Sequence, residues 1–161
     1  MGKEESFTRI IRENEGVIFK ITTIYTQNGQ DQKDLYQEIV YQLWKGFNAF
    51  RGDSKASTWM YRISLNTALL HLKKKKRRGH NVSLDGVEIA QENDDPILEE
   101  RLKVLYEKIR HLGEMDRGII FLFLEGKKYD EIAVIMGLSA SNVGTRMARI
   151  KEKLKAQIIK N

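Results

Sequence analysis

The chain has 161 residues, which is long enough for one ordinary domain or two small ones. It contains no Cys, which excludes disulfides, thiolate metal sites and a cysteine nucleophile and suits a reducing cytosol. The net charge of +6 favours an anionic partner. The charge is unevenly distributed along the chain. The net charge is +7 in residues 1–80, −5 in residues 81–95 and +4 in residues 96–161.

Strong helix formers are common and only one Pro is present, so we expect an all-α protein. His71, His80 and His111 lack metal-ligand spacing, and we therefore expect ordinary surface or packing histidines, no metal and no cofactor. No apolar segment approaches the ~20 residues needed to cross a bilayer. The sequence predicts a soluble, cytoplasmic protein.

The first part of the chain has a helical pattern. Apolar residues recur at helical spacing from about residue 5 to residue 26, in one or two helices with a possible break at Gly16. A turn follows, with Asp31 as a plausible N-cap. In the next helix Leu35, Ile39 and Leu43 mark the buried face. A neighbouring polar face is free to meet a partner, and it carries Asp34, Gln37, Glu38 and Tyr41.

A second amphipathic helix follows a short loop and ends in six consecutive Lys/Arg residues, 73–78. Ser57 or Thr58 is predicted to cap its start. At least one of Trp59 and Tyr61 is expected in the core, and Trp59 is favoured. The row Trp59, Ile63, Asn66 and Leu70 then follows at spacings of three and four. Aromatic and polar groups with a basic tail suit a nucleic acid, although a basic run alone is equally typical of a solvated helix end.

Residues 79–95 break every periodicity, and an acidic stretch of this kind predicts a flexible linker between two modules. We therefore expect a first domain at 1–80, a linker at 81–95 and a second domain at 96–161. In the second domain Asp95 and Pro96 are predicted to open a helix. Its apolar face is expected to consist of Ile97, Leu98, Leu102, Leu105, Ile109 and Leu112.

The segment 129–155 has the pattern of a helix-turn-helix. Gly137 is expected to end one helix and Ser139 to cap the next. The second helix is predicted to bury Val143, Met147, Ile150 and Leu154. Its outer face carries Ala140, Ser141, Asn142, Thr145, Arg146 and Arg149, side chains suited to base edges and phosphates. Such units also occur as structural corners, but the basic outer face favours DNA binding.

Two stretches together resemble a known family. DLYQEIVYQLWKGFNAFRGDSKASTWMYRISLN is similar to the σ2 motif of extracytoplasmic-function (ECF) sigma factors, which belong to the sigma-70 family. YDEIAVIMGLSASNVGTRMARIKEKL is similar to their σ4 motif. The resemblance covers nearly the whole chain, in the family's order.

The resemblance implies three sets of contacts. The helix that binds the β′ clamp of core RNA polymerase would use Asp34, Leu35, Gln37, Glu38, Tyr41 and Trp44, with Trp44 partly structural. Binding of the −10 element, including capture of a flipped base by the loop before the second helix, would use Arg51, Asp53, Ser54, Lys55, Arg62, Asn66, Lys73 and Lys74. The −35 element would be read by Ser139, Ser141, Asn142, Thr145, Arg146 and Arg149.

Three positions depart from the family pattern. Leu65 stands where Arg is frequent, which predicts the loss of one DNA backbone contact. Gly144 stands where Lys is common and Met147 where Leu is usual. A glycine inside a helix costs about 1 kcal/mol relative to Ala.

The resemblance implies a sigma factor and no enzyme. Its partners would be core RNA polymerase (β′ clamp and β flap), promoter DNA and an anti-sigma factor that holds it at the inner membrane, with no small-molecule substrate. An autonomous helix-turn-helix repressor or activator is the alternative, but it leaves the polar face of residues 34–41 unexplained. A nucleic-acid-processing enzyme is disfavoured, because Asp31, Asp34 and Glu38 are not paired with a second carboxylate cluster.

Overall fold

The computed structural model describes residues 2–50, 56–77 and 95–159. These residues form helices and no strand, which confirms the all-α prediction. The chain divides into two compact units, residues 1–90 and 91–161. The helices are α1 (Lys3–Tyr25), α2 (Gly29–Phe47) and α3 (Ala56–Arg77) in the first unit, and α4 (Pro96–Arg110), α5 (Glu114–Leu124), α6 (Tyr129–Met136) and α7 (Ala140–Ile159) in the second.

Helix α1 is continuous through Gly16, so the possible break there does not occur. Gly16 is exposed and has no neighbouring side chain within 4 Å of where a Cβ would lie. A helical glycine costs about 1 kcal/mol relative to Ala. Burial of Ile18, Ile21 and Ile24 on the same helix offsets that cost, because each buried aliphatic side chain contributes about 1.5–3 kcal/mol.

Helix α2 buries the predicted face and begins three residues earlier than predicted. Leu35, Ile39 and Leu43 are fully buried. The N-cap is Asn28, whose Oδ1 accepts from the backbone N–H of Asp31 at 2.8 Å. The prediction that Asp31 caps this helix is therefore wrong, since Asp31 lies inside the first turn.

Helix α3 begins at Ala56, so Ser57 and Thr58 lie within its first turn and the prediction that one of them caps it is wrong. Its core residues are Met60, Tyr61, Leu65, Ala68 and Leu72. The row Trp59–Ile63–Asn66–Leu70 runs along the more exposed side, where Leu70 is 58% exposed.

One expectation about the side chains of α3 needs correction. Tyr61 is buried whereas Trp59 is half-buried, so Tyr61 is the core aromatic. Leu65 is only 1% exposed and packs the core. The loss of one DNA backbone contact at this position stays a prediction.

Trp59 instead belongs to an aromatic cluster that joins all three helices of the first unit. Phe7 meets the ring of Trp44 edge-on at a centroid distance of 5.0 Å and that of Phe47 at 5.5 Å. Trp59 lies 6.1 Å from Phe47 and 5.1 Å from Phe50. Rings at these separations attract one another beyond simple burial. The cluster ties α1 and the end of α2 to the start of α3.

The start of the second unit matches the predicted cap. Asp95 Oδ1 accepts from the N–H of Ile97 at 3.0 Å, and Pro96 occupies the first turn of α4. Ile109 and Leu112 are buried as expected. Ile97 (67% exposed) and Leu98 (39% exposed) are not, so only the C-terminal half of α4 carries the predicted apolar face into the core.

The remaining helices of this unit form the predicted helix-turn-helix with α5 packed against it. Gly137 ends α6 in the left-handed conformation, with φ of 72°. The Oγ of Ser139 accepts from the N–H of Asn142 at 3.1 Å and so caps α7. The core-facing side of α7 is buried as predicted, at Val143, Met147, Ile150 and Leu154.

Candidate nucleic-acid interface

The polar face of α2 is solvent-exposed in the first unit. Asp34, Gln37 and Glu38 are exposed, and Tyr41 is 54% exposed. Two contacts order this face, because Gln30 Nε2 donates to Asp34 Oδ1 at 2.9 Å and Gln42 Nε2 donates to Glu38 Oε1 at 3.0 Å. Pairs four residues apart are neighbours on a helix surface. The two carboxylates are thus held in place while their other oxygens stay open to a partner.

Two other residues predicted to bind polymerase are placed differently. Leu35 is fully buried, so its side chain stabilises the core and supports the exposed face indirectly. Trp44 is half-buried against Phe7, and Lys3 Nζ lies 4.3 Å from the centroid of its ring. A cation over an indole face at this distance is favourable. Trp44 is therefore largely a packing residue.

The residues of α3 predicted to bind DNA lie within a stripe about 120° wide on the exposed side of the helix. Arg62 and Asn66 are one helical turn apart, and Lys73 and Lys74 follow two turns later. All four are exposed. Because a helix rises 1.5 Å per residue, the stripe spans about 18 Å. Arg51, Asp53, Ser54 and Lys55, the other predicted −10 residues, lie outside the described residues.

A groove of about 500 Å³ runs between α2 and α3. Asp34 and Glu38 line it from α2, and Asn66 and Lys74 line it from α3. Residues predicted from the resemblance to bind a protein and residues predicted to bind DNA therefore share one concave surface. The groove is acidic on one wall and cationic on the other.

A buried ion cluster lies near the basic end of this groove. Asp31 is 3% exposed, and its Oδ1 lies 2.6 Å from His71 Nε2 and 3.4 Å from Lys75 Nζ. The N–H of Gln27 donates to its Oδ2 at 3.0 Å. Burial by itself raises the pKa of Asp31, but the hydrogen bonds from His71 and Gln27 and the charge of Lys75 outweigh it, and the pKa lies below its usual value.

Reasoning from the sequence does not find this cluster. The sequence predicts a helix cap at Asp31 and an ordinary histidine at His71. Forty positions separate the two residues, and neither stands in a motif, so the packing of α3 against α2 is what brings them together. Helix periodicity places His71 one turn before Lys75 on α3 and no more than that.

In the second unit, the outward side of α7 carries the residues predicted for −35 recognition. Ser139, Ser141, Asn142, Thr145 and Arg149 are exposed. Ser139 is committed to capping the helix, and the hydroxyl of Thr145 donates to the carbonyl oxygen of Ser141 at 3.1 Å. A capped helix with short polar side chains and an arginine at its N-terminal end suits insertion into a major groove.

Arg146 is only partly exposed, because it is engaged on two sides. Its Nη1 donates to Asp116 Oδ1 on α5 at 3.0 Å, and its Nε donates to Asn142 Oδ1 at 2.8 Å. Gly144, on the same helix, lies beside the ring of Tyr129, and a Cβ added to this glycine would be 3.8 Å from that ring. The sequence does not predict the contact with Asp116, since no pattern links a residue of α5 to one of α7.

Residues 2–50, 56–77 and 95–159 offer neither a metal site nor a membrane-spanning helix. They contain no group of three or more His, Asp or Glu side chains placed to hold a metal ion. None of the helices there is both long enough and apolar enough to span a bilayer.

Comparison with known proteins identifies the family. The model of sigma-70 region 2 matches residues 10–78, and the model of sigma-70 region 4 matches residues 102–154. The chain belongs to the ECF sigma factors of the sigma-70 family. It is an RNA polymerase sigma factor, and sigma factors are non-enzymatic transcription initiation factors.

Individual relatives agree with this assignment along the whole chain. The chain is 28% identical over 166 residues to the ECF RNA polymerase sigma-E factor of Escherichia coli K12, covering 95% of this chain and 86% of that protein. It is 25% identical over 170 residues to the sigma-E factor of Haemophilus influenzae, covering 98% and 89%.

Two solved structures share the fold. One is the sigma factor RpoE of Bartonella quintana in complex with the anti-sigma factor NepR, with a TM-score of 0.78, 18% identity, and coverage of 96% of this chain and 97% of that one. The other is CnrH in complex with the cytosolic domain of CnrY, with a TM-score of 0.72, 19% identity, and coverage of 99% and 92%.

Proposed function

We propose that this sigma factor docks on bacterial core RNA polymerase through the exposed face of α2 and binds the melted −10 element along α3. The observation that carries this proposal is the groove between the two helices. Asp34 and Glu38 on one wall and Asn66 and Lys74 on the other hold the polymerase-facing and DNA-facing groups at a fixed separation. In this assignment residues 1–80 form the σ2 domain.

The cationic stripe of α3 supports the −10 assignment. A strand that has been melted exposes its phosphates and bases, and single-strand binders meet it with a positive track and nearby aromatic groups. Arg62, Lys73 and Lys74 supply the charge. Capture of an extruded base by residues 51–55 would offset the cost of unstacking, which is a few kcal/mol.

Residues 96–161 form the σ4 domain in this proposal, and α7 reads the −35 element as duplex DNA. The support is the capped N-terminus of α7 and the exposure of Ser141, Asn142 and Arg149 beside it. The same unit would meet the β flap of the polymerase. The acidic linker, 81–95, joins the two domains so that each reaches its own element.

An anti-sigma factor is proposed to control the protein in the cytoplasm, from the inner membrane. One solved relative in fold is a complex with an anti-sigma factor. The exposed Ile97, Leu98 and Val104 of α4 offer this chain an apolar surface for such a partner. Capture of the tagged chain from the host's membrane fraction tests this: it should recover one stoichiometric protein that inhibits transcription in vitro, and recovery of polymerase alone would contradict it.

Run-off transcription with bacterial core polymerase on fragments of the native genome tests the central proposal. Adding the protein should create new start sites, and the double variant Asp34→Ala/Glu38→Ala should abolish them. The matched control is Glu13→Ala, an exposed acid on α1 away from the groove, which should retain full activity.

A fork-shaped promoter probe provides the second readout. Holoenzyme should prefer a probe whose −10 strand is unpaired over the fully paired duplex. Binding of the free protein to duplex DNA, with no core binding and no new start sites, would contradict the proposal and support an autonomous helix-turn-helix regulator.

A further inference from the structure

Two residues of α7, Asn142 and Arg146, are linked to each other and to α5 by consecutive hydrogen bonds. Asp116 Oδ1 accepts from Arg146 Nη1 at 3.0 Å, and Asn142 Oδ1 accepts from Arg146 Nε at 2.8 Å. The side chain of Asp116 is 18% exposed and that of Arg146 is 37% exposed. Since α5 packs directly on α7, the carboxylate is a fixed anchor for the guanidinium.

This chain sets the orientation of the Asn142 amide. A guanidinium only donates hydrogen bonds, so the atom of Asn142 that faces Arg146 has to be the carbonyl oxygen. The amide nitrogen occupies the other branch of the planar group and is turned away from Arg146. Asn142 is exposed, so this nitrogen is the part of the side chain that a ligand meets first.

An unrestrained Asn reads adenine by using both groups, the oxygen toward N6 and the nitrogen toward N7. Here the oxygen already accepts a charge-assisted bond from Arg146, which is among the stronger hydrogen bonds. A side chain held in this way offers mainly a donor. On the major-groove edge, guanine presents two acceptors and thymine one, whereas cytosine presents a donor and adenine a donor beside its acceptor.

We propose that Asp116, acting through Arg146, makes Asn142 a hydrogen-bond donor, so that α7 selects guanine or thymine over adenine and cytosine at the base that Asn142 meets. The inference rests on the proposed role of α7 in −35 recognition and adds the chemistry of one base contact to it. Asp116 is a positioning residue, because it touches no DNA itself.

The test uses full-length protein in holoenzyme and a promoter library randomised over the −35 element, with sequenced run-off transcripts as the readout. Asn142→Ala identifies the position that this side chain reads, because selection should weaken there alone. Asn142→Asp keeps an acceptor for Arg146 and replaces the outward donor by an acceptor. Its preference at that position should move toward adenine or cytosine, by about tenfold.

Asp116→Ala tests the positioning role. With the anchor removed, Arg146 and the amide can turn, and adenine should become acceptable at the same position while the rest of the −35 profile stays unchanged. Loss of stability alone would lower all transcripts equally and would leave the base profile as it was. Arg101→Ala, an exposed cation on α4, is the matched control and should leave the profile unchanged.

Three results would overturn the inference. One is a wild-type preference for adenine or cytosine at the position found with Asn142→Ala. Another is an unchanged base profile in a folded Asp116→Ala protein. If Asp116→Ala does not fold, Asn142→Asp serves as the test, because it alters only an exposed atom, and an unchanged base preference in that variant would overturn the inference. The third is absence of any protein-dependent transcript from wild type, which would refute the proposed function itself.

Discussion

Asp31 at the start of α2 and His71 near the end of α3 lie 2.6 Å apart, Oδ1 to Nε2. Asp31 is nearly inaccessible to water, and Lys75 Nζ lies 3.4 Å from the same oxygen. The contact therefore holds the basic end of α3 against α2, the helix that carries the acids proposed to contact the polymerase. The geometry of the groove depends on this junction.

The junction makes the stability of the first unit sensitive to acid. The pKa of Asp31 is lowered on folding, so its contribution to stability is complete above the ordinary carboxyl pKa of about 4 and is lost as pH falls through the lower folded value. Urea unfolding between pH 2 and pH 7 should show this loss, and Asp31→Asn should flatten the curve below pH 4.

The side chain of Asp31 should also stabilise the first unit at neutral pH. Asp31→Ala leaves the N–H of Gln27, His71 Nε2 and Lys75 Nζ without their acceptor, at a cost of about 2 kcal/mol in the free energy of unfolding. Glu13→Ala, an exposed acid, is the control and should change it by less than about 0.5 kcal/mol. Equal stabilities of the two variants would contradict a structural role for Asp31.

The two glycines of the helix-turn-helix should respond oppositely to alanine. A Cβ on Gly144 would lie 3.8 Å from the Tyr129 ring, an ordinary contact, so Gly144→Ala should stabilise the second unit by up to about 1 kcal/mol. Gly137 has φ of 72°, where a Cβ is strained, so Gly137→Ala should destabilise it by about 1–2 kcal/mol. Thermal unfolding followed by circular dichroism measures both, and a shift of the same sign in both variants would contradict these roles.

Substitutions of Leu35 and Glu38 should distinguish residues of α2 that stabilise the core from residues that contact the polymerase. Leu35→Ala removes a fully buried side chain and should cost about 2–5 kcal/mol of unfolding free energy. Glu38→Ala should leave stability nearly unchanged and should weaken binding to core polymerase. Parallel urea unfolding and core-binding titrations distinguish them. Wild-type stability with lost core binding in Leu35→Ala would mean that Leu35 contacts the polymerase after all.

The lysines at the basic end of α3 should contribute to the salt dependence of DNA binding. Each phosphate contact on single-stranded DNA adds about 0.7 to the slope of log K against log salt concentration. Lys73→Ala/Lys74→Ala should therefore lower the slope for holoenzyme binding to the fork probe by about 1.4 if both lysines contact phosphates. Arg12→Ala, an exposed cation on α1, should leave the slope unchanged. An unchanged slope in the lysine variant would remove these residues from the DNA path.

Much of the secondary structure can be predicted because its causes are local. Asp95 with Pro96 specifies the start of α4, and Gly137 with Ser139 specifies the turn between α6 and α7, since caps and positive φ depend on neighbouring residues. The periodic apolar face of α7 is predictable for the same reason. The resemblance then leads from these motifs to the family.

Apart from the misplaced helix caps at Asp31 and at Ser57 or Thr58, the wrong predictions concern positions where long-range packing decides. The sequence suggests a possible break at Gly16, yet the helix passes through it because burial of its neighbours outweighs the local cost. Periodicity favours Trp59 over Tyr61 for the core. Residues two positions apart on a helix point about 160° away from each other, and only the neighbouring helices determine which of the two is covered. Periodicity also assigns Ile97 and Leu98 to the core face of α4, but that end of the helix is exposed.

The sequence alone determined that this protein is helical and that it carries two basic segments around an acidic one, and the resemblance of its two motifs to a known family implied a sigma factor. These properties follow from local propensity, charge and motif order, each of which is written in consecutive residues. Only the tertiary structure decided that Asp31 meets His71 and that Asp116 holds Arg146, because such pairs depend on how separate helices pack. Electrostatic contacts between residues of different helices produce no periodic pattern in the amino-acid sequence.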